Sequence, residues 1–101
     1  SYNQQAIDIQ KETFVLNTNI QLTQQTSEME KLQQLIESDD EIIRLRENIK
    51  QTSENQLENG VITPFDYLNV VNALDQARLE RNLHEIKLWM AKCSFNVISG
   101  N

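Results

Sequence analysis

At 101 residues, with 24% charged and 6% aromatic side chains and a formal net charge of −6, the chain is sized for one small domain or a piece of a larger one. Two glycines and one proline leave little room for loops, and the Gln/Asn/Glu/Lys/Leu/Ile vocabulary is that of long helices and coiled coils, not of a globular core. No cluster of Lys and Arg offers a nucleic-acid footprint, the acidity disfavours an anionic membrane surface, and no apolar run reaches the roughly eighteen residues of a membrane-spanning helix.

The first predicted element is a helix over roughly 2 to 58, a stretch free of glycine and proline. Tyr2, Ala6, Ile9, Thr13, Leu16 and Ile20 recur at steps of four and three, the helical period. Further on, Leu22, Met29, Leu32, Ile36 and Ile43 share one heptad seam, and Leu35, Ile42, Leu45 and Ile49 share another. Gln25 and Asp39 stand where a strict zipper would place leucine. At the α-helical rise this element would be about 85 Å long.

The break that follows reads Asn59-Gly60-Val61-Ile62-Thr63-Pro64-Phe65-Asp66. Gly60 suits the left-handed residue that ends a helix. Thr63 suits the N-cap of the next helix and Pro64 its first turn, where a missing N–H costs nothing. Asp66, three residues after Thr63, can cap back and complement the helix dipole, and Ile62 with Tyr67 can form a hydrophobic staple. These residues predict a sharp αα-hairpin turn over 59–63.

The second predicted helix spans 64–98, with Gly100 beyond its end. It carries two seams on neighbouring faces. Leu79, Leu83, Ile86, Met90, Cys93 and Val97 make one. Val70, Leu74, Ala77, Arg81, His84, Leu88, Ala91, Phe95 and Ile98 make the other, while Asn69, Asn72, Gln76, Glu80 and Lys87 keep a third face polar. One seam serves a two-stranded coiled coil, whereas two let a helix pack on both sides, as in a wall or barrel of helices. The arms do not match. The first outruns the second by over ~30 Å, so residues up to about 20 have apolar positions and no intrachain partner. Ser1 already sits in the helical pattern, and no signal peptide is visible, so the chain is expected to be a piece of a larger protein.

Individual polar residues point to packing and not to chemistry. His84 is a lone histidine on a heptad seam, expected to be an interface side chain and not a metal ligand. Cys93, between Met90 and Val97, is expected to be a buried, inert thiol. The run Glu37-Ser38-Asp39-Asp40-Glu41 splays around a helix, which suits calcium badly. It is expected to form a solvated face with i, i+4 pairs such as Asp40 to Arg44, or to line a lumen if the helix belongs to a channel wall. No catalytic grouping, cofactor motif or metal site is recognised, so no enzyme is expected.

From Leu57 to Ala77 the chain resembles the C-terminal repeat of the TolC-like outer-membrane efflux family. That family shows a long helix, a glycine, two residues, Ser or Thr, two residues, Asp, and a Leu-rich helix with Ala at helical spacing. Here those positions are Gly60, Thr63, Asp66, Leu68, Leu74 and Ala77, and the helix ends at Gly100 as the family's does. The resemblance extends over the whole chain. It implies an all-α fold, a long antiparallel two-helix coiled-coil hairpin from a trimeric periplasmic α-barrel, attached to the outer membrane through β-strands absent from these 101 residues. It also implies that Asn59, Gly60, Val61, Ile62 and Thr63 form the tip that docks a periplasmic adaptor, itself linked to an inner-membrane pump, with Pro64, Asp66 and Tyr67 shaping the turn. The arginine latch and acidic ring of some members fall on Ile62 and Asn69 and do not carry over. Two other readings stay open: a periplasmic adaptor hairpin, and a cytosolic coiled-coil interaction arm.

Overall fold

The structure, a computed structural model, describes residues 2–100; Ser1, expected within the helical pattern, and Asn101 lie outside them. The chain is an all-α hairpin of two helices, α1 (Tyr2–Glu58) and α2 (Pro64–Ser99). It measures 87 × 19 × 16 Å, so its long dimension is that of α1 alone. Contacts of Glu54 with Tyr67 and of Asp39 with His84 fix the helices as antiparallel.

The packed seam is set by heptad spacing. On α1 it steps from Leu22 through Gln25, Met29, Leu32, Ile36 and Asp39 to Ile43, then through Arg46, Lys50 and Ser53 to Leu57. All of these are buried or half-buried, although several are polar. On α2 the seam is the one that runs from Val70 through Leu74, Ala77, Arg81, His84, Leu88 and Ala91 to Ile98. Leu74, at 1% exposure, is the most deeply buried large side chain, and Ala77 beside it is small enough to let the helices close. This alternation of bulk is what knobs-into-holes packing asks for.

The other α2 seam lies outside the packed interface. Leu79, Leu83, Ile86, Met90 and Val97 are all exposed, and so is Cys93. The expectation of a buried thiol is therefore wrong. Met90 and Val97 flank Cys93, but that face has no helix against it. On α1, Ile42, Leu45 and Ile49 are likewise exposed. So are Tyr2, Ile7, Ile9, Phe14, Leu16 and Ile20, because α2 ends before it reaches them. No helix of the described residues is long and apolar enough to cross a membrane.

Candidate functional site

The turn closes α1 by backbone geometry that Gly60 makes possible. Gly60 has φ +74°, in the left-handed region. Its N–H donates to the Leu57 carbonyl at 3.1 Å, and the Val61 N–H donates to the Gln56 carbonyl at 2.8 Å. This pair of bonds is the Schellman arrangement, which satisfies carbonyls that a helix end otherwise leaves free. A Cβ built on Gly60 would meet nothing within 4 Å. Any larger residue there is opposed by backbone strain, of about 1–2 kcal/mol, and not by a clash within the hairpin.

Thr63 opens α2 as its N-cap, and the capping box with Asp66 is complete. The Asp66 N–H donates to Thr63 Oγ1 at 3.1 Å, and the Thr63 N–H donates to Asp66 Oδ2 at 3.2 Å. Pro64 follows in the first turn of the helix. Ile62 and Tyr67 are half-buried on either side of the cap. The Tyr67 hydroxyl donates to Glu54 Oε1 at 3.0 Å, joining the two arms one helical turn from the tip. That hydrogen bond, with smaller effects of desolvation and the Glu54 charge, holds the Tyr67 phenol above its ordinary value. Substituting Thr63 by alanine removes the acceptor for Asp66 and is expected to cost about 1 kcal/mol, read as a lower midpoint in thermal unfolding.

The tip surface is apolar and acidic. Val61 is exposed, Phe65 is 69% exposed and Leu68 points outward as well. Between Lys50 and Arg78 there is no basic residue, while Glu54, Glu58, Asp66 and Asp75 all fall in that stretch. Asn59, Gly60 and Thr63 are exposed beside Val61. The five expected tip residues thus lie together at one end of the rod, with Ile62 partly withdrawn beneath them. Phe65 and Leu68 belong to the same surface and were not among the expected tip residues. Their signal was in the sequence, since both fall off the seam that packs against α1.

A second polar feature lies near the middle of the hairpin. His84 Nδ1 stands 2.5 Å from Asp39 Oδ2, and both residues sit within the packed seam. One position further along α1, Asp40 pairs with the Arg81 guanidinium, which also reaches Glu85 at 3.1 Å. The hydrogen bond to Asp40, its charge and then the Glu85 charge hold Arg81 above its ordinary value. Towards the tip, Arg78 pairs with Glu47 at 3.3 Å. The expected Asp40-to-Arg44 pair is replaced by this cross-helix one, because Asp40 lies beside the seam and α2 offers Arg81 there. Nor is the acidic run a wholly solvated face. Asp39 is buried, although Glu37, Ser38 and Glu41 are exposed. Every buried side-chain nitrogen or oxygen among the described residues has a hydrogen-bond partner. No group of three or more metal-ligating side chains forms among those residues.

No protein-family model, curated protein or solved structure matches this chain.

Proposed function

We propose that this chain is the periplasmic hairpin of a TolC-like outer-membrane efflux or secretion channel, serving as conduit wall and as docking tip. The observation that carries this reading is the second seam. A free-standing two-helix rod has no use for Leu79, Leu83, Ile86, Met90 and Val97 in heptad register on a face with no intrachain partner. A ring of hairpins packed side by side does, because each helix then has a neighbour on both flanks. In the full trimer the exposed overhang of α1 would be covered in the same way. Transport would be passive in this segment. Helices shift against one another to open a path, and energy comes from the inner-membrane pump.

At the tip, exposed Val61 and Phe65 beside Gly60 and Thr63 supply an apolar end with open backbone, and the surrounding carboxylates favour an adaptor tip that carries basic residues. The test uses the parent channel in cells. A photo-crosslinking residue placed at Val61 should capture the adaptor. Adding Gly60→Trp should abolish that product while the circular dichroism of the purified 101-residue chain stays helical. Full crosslinking in the Gly60→Trp variant would remove the docking claim. Parent sequence without amphipathic β-strands flanking the hairpin would remove the channel reading altogether.

A further inference from the structure

We propose that the Asp39–His84 layer, braced by Asp40–Arg81, is a register lock that holds α2 at one position along α1. This does not depend on the channel reading, because it concerns the pairing of the two helices within one chain.

A heptad seam is degenerate. Sliding one helix past the other by seven residues returns apolar positions to apolar positions, at a displacement of about 10 Å. The overhang of α1 adds to the problem, since it offers heptad positions that α2, or the α2 of another copy, could occupy. The turn constrains one end of the pair only. Something within the seam must distinguish the native pairing from its slipped alternatives.

The polar layer makes that distinction. Along the α1 seam from Leu22 to Leu57, Asp39 is the single acid. A slip of one heptad sets His84 opposite Leu32 or Arg46 in place of Asp39, and sets Asp39 opposite Ala77 or Ala91 in place of His84. The first outcome strands a polar ring against Leu32 or sets it beside the Arg46 guanidinium, which can accept no hydrogen bond from it. The second buries a carboxylate against a methyl group. An unpaired buried polar group costs about 1–3 kcal/mol, and more when charged, so slipped registers lose at both residues together. Arg81 reinforces the choice against one of the two slips, which moves it from Asp40 to the uncharged Gln33, whereas the opposite slip offers it Glu47 and leaves the discrimination to Asp39 and His84. A single polar layer of this kind is a known way for coiled coils to choose register at some expense in stability.

Gln25 on α1 and Cys93, at the exposed edge of α2, line one shallow groove at the end far from the turn. Spin labels on Cys93 and on Gln25→Cys therefore report register directly, by pulsed dipolar spectroscopy on the 101-residue chain. Two changes are combined: Asp39→Leu with His84→Leu, and a seven-residue Gly/Ser insertion between Val61 and Ile62 that frees the turn. With the insertion alone, the distance should remain single and short. With the insertion and both leucines, it should split, with a second population displaced by about 10 Å, or be replaced by an intermolecular distance whose signal is lost on dilution with unlabelled chain. A single short distance in that combined variant, with helicity retained, would overturn the proposal, because the apolar seam would then suffice. A split distance already present with the insertion alone would overturn it too, because the polar layer would then not hold the register by itself.

Discussion

Replacing Leu74 by alanine should lower the stability of the hairpin by about 3 kcal/mol. Leu74 is almost wholly enclosed between the helices, about three turns beyond the N-cap Thr63, and its neighbour Ala77 is too small to collapse into the vacated space. The loss combines the transfer of the missing methyl groups with the cavity left behind. It is large against the total, since small domains hold only about 5–15 kcal/mol in reserve. Far-UV circular dichroism should register a fall in melting temperature of more than ~10 °C. Leu83→Ala supplies the control. Leu83 stands at an equivalent heptad step on the seam outside the packed interface, and at low protein concentration its truncation should change stability by no more than about 0.5 kcal/mol. An equal loss at both positions would mean that the packed seam has been wrongly assigned.

Asp39→Leu alone should cost about 1–3 kcal/mol, whereas Asp39→Leu combined with His84→Leu should return the hairpin to its original stability or exceed it. The physical reason is asymmetry. The single change leaves the His84 ring half-buried with its partner gone, beside an isobutyl group that can accept nothing. The double change removes both desolvated polar groups and replaces them with the side chain that a heptad seam favours. A double-mutant cycle in urea isolates the coupling between the two residues. If the two single losses simply add in the double variant, the pair contributes nothing as a pair. A more stable double variant would also explain why the layer needs a reason other than stability, such as the choice of register.

Much of the fold could be read from local signals. Gly60, Thr63, Pro64 and Asp66 dictate the turn because each acts on its own backbone or on a residue three away. The left-handed φ, the N-cap and the reciprocal cap require nothing distant. The four-three spacing along both arms likewise declares helices and seams from sequence alone. The tip residues could be grouped in advance for the same reason, because neighbours in sequence at a tight turn are neighbours in space.

What was not legible depended on the two arms meeting. Heptad spacing marks two seams on α2 but does not say which one α1 covers. Cys93 was misplaced for that reason. It belongs to the seam that α1 leaves exposed. Asp40 was assigned to Arg44 because helical neighbours are visible in sequence, while Arg81, forty-one residues away, becomes a neighbour only after the arms pair. Asp39 and His84 could have been matched by counting outwards from the turn, since an antiparallel hairpin pairs residues whose numbers have a nearly constant sum. Glu54 with Tyr67 obeys the same count.

By itself, then, the sequence determined the two helices, their stop and start signals and the presence of more apolar seam than two helices can cover. These follow from backbone propensity and periodicity, which act over a few residues. Only the tertiary structure decided which seam is buried, that Cys93 is left exposed, and that Asp40 takes Arg81 and not Arg44 as its partner. Those outcomes depend on the rotation of one helix about its axis relative to the other. That rotation is set by the turn and the packing together, and no local stretch of sequence encodes it.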